Sequence, residues 1–186
     1  HHSLMLTAMD SDGVSSEPQM HRFWTDDRQD WRQGTIYFAF VDRFSNGDPS
    51  LDHSEGASTQ AGEFLGGDWA GVQAAIPYLV EMGVQTLWLS NPQSNATGAW
   101  DGDCGETYTG YHAYWPDSRQ DTEDHFGDET ALHDLIEAAH AQGLRVVMDW
   151  VGNHVHSEHP LAVEHEEDWF HEQAICHDSV SGQLNW

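Results

Sequence analysis

Three short apolar runs constrain this chain more than anything else in it. TIYFAFV (35–41) is apolar, β-branched and aromatic, and too short for a helix. It reads as a strand buried on both faces. VQTLWLS (84–90) reads as a second buried strand, and LRVVMDWV (144–151) as a third. GGDWAGVQAAIPYLVEMG (66–83) separates the first two. Asp68 is its candidate N-cap, Val72, Ile76, Leu79 and Val80 share one helical face, Pro77 predicts a kink and Gly83 the stop. ETALHDLIEAAHAQG (129–143) separates the second and third runs, with Leu132, Leu135, Ile136 and Ala139 on one face and Gly143 as the stop. Strand, helix, glycine, strand, repeated, predicts the α/β class with a parallel sheet. In such sheets, binding groups gather where the chain leaves the C-terminal strand ends. The polar stretches 42–52, 91–115 and 149–159 all lie there. Three strands do not close a barrel, so the chain reads as the front part of a larger domain.

Composition narrows the partners. Thirty-two acidic residues face six basic ones, for a net charge of −26. Nucleic acid is excluded, because phosphate binding needs basic side chains. No run reaches the length of a membrane span, and no charged–apolar–small opening marks a signal peptide. The acidity fits either a solvated surface or adaptation to high salt, where carboxylate repulsion is screened. Residues 3–34 are polar and aperiodic and read as a leader, with His1 and His2 a tag remnant. Cys104 and Cys176 are far apart, which leaves a single long-range disulfide or an outside partner open.

Three segments carry chemistry. NGDPSLD (46–52), with the later GGD, offers alternating oxygen donors that suit a hard cation; a capped turn is the plainer reading. YTGYHAYWPDS (108–118) sets Tyr108, Tyr111, Tyr114 and Trp115 around His112, which suits a sugar ring or an aromatic mini-core. In DWVGNHVHSEHP (149–160), Asp149 closes an apolar strand, a costly place for an unpaired carboxylate. Asn153 and His154 follow at the rim. The His154–His156 pair leaves open the zinc site of a metal-dependent amidohydrolase.

Taken in order, TIYFAFVDRFSNGD, GGDWAGV, YLVEMGVQTLWLSNP and GYHAYWPDS through DWVGNH resemble the first third of an α-amylase superfamily enzyme, glycoside hydrolase family thirteen. Cyclodextrin glucanotransferases and maltogenic amylases are the most similar branches. The resemblance implies the first three β/α units of a (β/α)8 barrel over residues 35–156, an incomplete barrel, after a leader or surface extension at 1–34. It implies the truncated start of an inserted domain at 157–186, where Cys176 could bond internally or to Cys104. It implies retaining cleavage or transfer at α-1,4-glucosidic bonds of an α-glucan or maltooligosaccharide. His112, Tyr114, Trp115 and His154 carry the sugar-contacting positions, and Asp149 is a buried residue that orients an arginine. By the same resemblance, Asn153 is expected to ligate one calcium ion. Asn46, Asp48, Asp52, the Gly66 carbonyl and Asp68 match a second calcium site, from which Leu51 departs where asparagine is usual. His156 and His159 are implied bystanders, and Ala113, where glycine is usual, a tolerated change. The nucleophile and acid/base are expected beyond residue 186, leaving this portion alone inactive. Large glucans are met outside cells, so a secreted or periplasmic protein is expected. A non-catalytic, transporter-associated relative with the same barrel is the alternative.

Overall fold

The computed structural model describes residues 2–23, 34–102, 105–118, 120–165, 169–170 and 183–185. Cys104, Cys176 and most of the expected inserted domain lie outside the described residues. The chain divides into two units, His1–Gly34 and Thr35–Trp186.

Within the first unit, the residues read as a leader or surface extension hold a hairpin pairing His2–Leu6 antiparallel with Gln19–Phe23. Its connection is shaped by Asp10, whose carboxylate accepts from the Asp12 and Val14 amides at 3.0 and 2.9 Å. Gly13 supplies the left-handed residue that reverses the chain, at φ +81°. Side-chain capture of local amides made a turn where composition showed only polarity.

The second unit is built on three parallel strands: β1 (Ile36–Ala39), β2 (Thr86–Leu89) and β3 (Arg145–Met148). β2 is central, with Ile36 opposite Thr86 and Thr86 opposite Arg145. Helices α1 (Trp69–Ala74), α2 (Ile76–Glu81) and α3 (Glu129–Ala141) supply the connections. Asp68 caps α1 and Asp128 caps α3, each through its carboxylate. The expected kink is a break at Ala75, with Pro77 in the first turn of α2. Gly83 and Gly143 end their helices at φ +82° and +78°.

One core joins Ala39, Leu87 and Leu89 of the strands to Trp69, Val72, Ile76, Leu79, Leu132, Leu135 and Ala139 of the helices. A fully buried leucine contributes about 1.5–3 kcal/mol, so this face holds the unit together. Burial on both faces is the expectation; among the described residues one face is covered. Ile36, Phe38 and Trp88 remain 50, 40 and 39% exposed. Side chains alternate across a strand, and the helices cover one side of this sheet among the described residues. Val80 is corrected: it is exposed beside buried Leu79, at the edge of the helical stripe. No helix among the described residues is long and apolar enough to cross a membrane.

Candidate functional site

The loops leaving the C-terminal ends of the three strands are stitched together. The loop after β1 exchanges bonds with the one after β2: Ser58 and Thr107 trade amide and hydroxyl at 2.8 and 2.7 Å. Asn95 is held by Glu123, which accepts from its backbone amide at 2.8 Å, and Asn95 in turn accepts from the Trp115 amide at 2.8 Å.

That frame positions the aromatic cluster. A tight turn at Gly110–His112 ends at Ala113, whose φ of +67° is the one positive value at a non-glycine residue among those described. The left-handed backbone costs an L-residue about 1–2 kcal/mol. The buried methyl recovers about 0.8 kcal/mol, and avoiding the freedom of a glycine recovers about 0.5–1 kcal/mol. The sum is near neutral, which is why alanine can stand there. The reversal folds Tyr114 back over His112: the Tyr114 amide donates to His112 Nδ1 at 3.0 Å. An Nδ1 that accepts leaves the proton on Nε2. The buried Trp115 ring meets His112 edge-on at 4.5 Å. Burial first, then the electrostatic influence of neighbouring His154 and Arg43, lowers the His112 pKa to about 4, so it is a neutral donor at ordinary pH.

Tyr114 ties the turn to the end of β3. Its hydroxyl donates to Asp149 Oδ2 at 2.7 Å, and His154 Nε2 donates to its carbonyl at 2.8 Å. Burial and the Asp149 carboxylate raise the phenol to about 12. Asp149, expected to be buried, is half-buried, and its other oxygen accepts the Trp150 amide. Asn153 is exposed in the loop before His154. His112, Tyr114, Trp115, Asp149 and His154 therefore form one cluster. A hollow of about 470 Å³ adjoins it in sequence through Pro116 and Val155, lined also by Gln93, Trp150, Leu161 and Trp169. His112, Tyr114 and His154 do not line that hollow.

His156 and His159 lie in the packed interior of this loop. Both are buried: His156 packs against Trp100 at 4.4 Å, and His159 accepts the Leu161 amide at the start of a short helix. Among the described residues, neither His154 nor His156 converges with further metal-type ligands.

The loop after β1 divides the expected cation ligands. Asn46 donates to both oxygens of Asp52, at 3.0 and 2.8 Å. Gly66 abuts them: a Cβ on it would lie 2.4 Å from Asp52 Oδ1, so only glycine leaves that cradle open. Hard oxygen donors around such a cradle fit calcium once the Asn46 amide turns its oxygen inward. Asp68 is differently occupied. It is fully buried and accepts the Gly47, Asp48 and Gly71 amides at 2.6–3.0 Å. Asp48 accepts the Ser50 amide and hydroxyl, which lowers its pKa. Leu51 turns its side chain toward Gly127.

Sequence reasoning missed Asp42 and Arg43. Buried Asp42 accepts the Leu65 amide and pairs with Arg43. Arg43 donates to the Glu63 and Ala61 carbonyls and lies 3.9 Å over the Tyr111 ring. Burial raises the Asp42 pKa against these contacts. The available signal was the one used at Asp149, a carboxylate closing an apolar strand.

With that geometry in hand, the likenesses are specific. The family described as Alpha amylase, catalytic domain, matches residues 38–180. The periplasmic alpha-amylase of Escherichia coli (strain K12) is 37% identical over 134 residues, 67% of this chain and 19% of that protein. A cyclomaltodextrin glucanotransferase of Paenibacillus macerans is 36% identical over 135 residues, 69% of this chain and 19% of that protein. Among solved structures, an Anoxybacillus alpha-amylase aligns at TM-score 0.67 and 33% identity, covering 78% of this chain and 30% of that one. The alpha-amylase of Geobacillus thermoleovorans, complexed with acarbose, aligns at 0.65 and 30% identity, covering 83% and 33%. The chain thus spans 19% of the length of each of these two curated relatives. A parallel α/β sheet, a rim cluster at its C-terminal end and a match across most of the residues lead to one conclusion: this chain belongs to the α-amylase family.

Proposed function

We propose that this chain supplies one wall of the active site of a retaining, α-glucan-active enzyme that cleaves or transfers α-1,4-glucosidic bonds. Residues 35–156 then form the first three β/α units of a (β/α)8 barrel, and residues from 157 begin an inserted domain. The observation that carries this reading is the convergence of His112, Asp149 and His154 on Tyr114 at the end of β3. The His112 Nε2–H, the second ring nitrogen of His154 and the flat Tyr114 ring are the groups that would grip hydroxyls and C–H faces of glucose. The carboxylates that form and release the glycosyl intermediate would come from later strands, so the isolated portion is inactive in this reading. The likeness to an enzyme named periplasmic supports a location outside the cytoplasm.

In the protein carrying those carboxylates, His154→Ala should lower kcat/KM on soluble starch about 10- to 100-fold, the cost of one to two lost substrate hydrogen bonds. Its folding free energy should fall by about 1 kcal/mol, the net worth of the bond to the Tyr114 carbonyl. Starch assays beside thermal melts separate the two. Parallel losses would make His154 a packing residue and remove the sugar-binding wall.

Calcium is the cofactor that the loops suit, with Asn46, Asp52 and the Gly66 carbonyl holding one ion and Asn153 contributing to another. The ion would supply charge that draws these loops together. Metal-stripped protein titrated with calcium should melt at a higher temperature, and magnesium should not replace it, because the smaller ion dehydrates reluctantly. A melting temperature indifferent to calcium would remove both sites.

A further inference from the structure

Away from the Tyr114 cluster, His53, Glu55 and His125 bring Nε2, a carboxylate oxygen and Nε2 within 4.8 Å of one another. Each is prepared as a ligand. His53 Nδ1 lies 2.9 Å from the Leu51 carbonyl, which can only accept, so the proton sits on Nδ1. His125 Nδ1 lies 2.7 Å from the Glu123 carboxylate, with the same consequence. Both Nε2 atoms are left as lone pairs. This is the carboxylate- or carbonyl-backed imidazole that metal sites use to fix tautomer and raise basicity. Glu55 is aimed as well: its Oε2 accepts the Gly98 amide, and its backbone amide donates to Glu63, leaving Oε1 turned to the histidines.

The cluster as it stands is electrostatically incomplete. His125 is 5% exposed, and its Nε2 is buried without a hydrogen-bond partner. That nitrogen faces Glu55 Oε1 at 3.8 Å, and His53 Nε2 faces the same oxygen at 3.4 Å. Three electron-rich atoms turned on one point, one of them on a buried imidazole, suit a cation between them. Ligand atoms about 2.0–2.1 Å from a tetrahedral ion lie roughly 3.4 Å apart, so one observed edge already fits and another needs a small contraction. The imidazoles stack at 3.7 Å, which sets their lone pairs nearly side by side. His53, half exposed, is the ring that must tilt, while His125 is clamped against Phe64 at 3.5 Å.

We propose that His53, Glu55 and His125 form a three-ligand site for a first-row divalent transition ion of zinc's kind, open at its fourth position to the adjoining hollow. That hollow is about 310 Å³, with Ser54 and Glu63 on its wall. Two imidazoles and one carboxylate select this ion class over calcium, which prefers oxygen ligands throughout. The site joins the loop after β1, which carries His53 and Glu55, to the loop after β2, which supplies His125 and the Gly98 amide. An ion there staples the rim beside the proposed sugar wall.

Cobalt(II) is the probe, because its visible bands report ligand number and its affinity is read directly. The full chain with His1 and His2 replaced should bind one equivalent at micromolar or tighter affinity, with the intense absorption of four- or five-coordination. Excess calcium should leave the spectrum unchanged, and zinc should abolish it. His53→Ala and Glu55→Gln should each weaken binding by about tenfold or more, while exposed His133→Ala should not. Metal-free melts of the two ligand variants, matching the parent within error, show that the fold is intact. No saturable cobalt spectrum, displacement by calcium, or equal affinity in the ligand variants and His133→Ala would each overturn the site. In the last two cases the ion sits in the oxygen-rich loop or on scattered histidines.

Discussion

Gly67→Ala should destabilise the protein by more than about 3 kcal/mol, beyond ordinary overpacking, because nothing around the new methyl is free to yield. A Cβ on Gly67 would stand 1.9 Å from the Val41 carbonyl oxygen and 2.6 Å from the Asp42 carbonyl carbon and oxygen. All of these are backbone atoms, and Val41 and Asp42 are buried at the exit of β1. The Gly67 amide also donates to the Asp42 carbonyl at 3.0 Å, so separating the two segments breaks a buried hydrogen bond. Gly83→Ala is the contrast. Its Cβ would meet nothing within 4 Å, and only its φ of +82° opposes the change, at about 1–2 kcal/mol. Urea denaturation of both variants decides between close approach and backbone conformation. Equal losses would mean that the crossing at Gly67 can open.

Asp68→Ala should cost about 3–5 kcal/mol, since a buried charged acceptor and the amides it serves are lost together. Its two oxygens serve the Gly47, Asp48 and Gly71 amides, the last of them in the first turn of α1. Removing the carboxylate strands three donors, two of them on a loop that runs back toward β1. Asp128→Ala removes an otherwise similar cap from α3, where an exposed carboxylate accepts a single amide from Ala131 at 2.8 Å. That loss should be about 1 kcal/mol. The comparison is made in metal-stripped protein, so that loop anchoring is measured apart from any bound ion. If the two aspartates cost the same, Asp68 is a helix cap and nothing more.

These residues mark how far the sequence could be read. Asp68 was legible as a cap because capping is local: an acceptor placed before an amphipathic run meets the amide three residues on. Its amides at Gly47 and Asp48 were not legible, since they lie some twenty residues upstream. The parallel strands, the break near Pro77 and the stops at Gly83 and Gly143 followed from side-chain period and from φ. The open face carrying Ile36, Phe38 and Trp88 did not follow, because an apolar run shows that burial is favoured without showing what covers it. His112, Tyr114 and His154 were legible as a set through resemblance, whereas their shared dependence on the Tyr114 backbone was not.

By itself, the sequence determined the order of the three parallel strands and the helices between them, and which ends of those strands carry polar chemistry. Those properties depend on residues a few positions apart. Tertiary structure alone decided what each polar group faces: Tyr114 opposite Asp149, Glu123 behind His125, and His125 beside Glu55 from seventy residues away. A side chain's partner is set by how loops from different strands are folded onto one another. That arrangement is fixed by packing and backbone contact across the whole unit, which no short stretch of residues encodes.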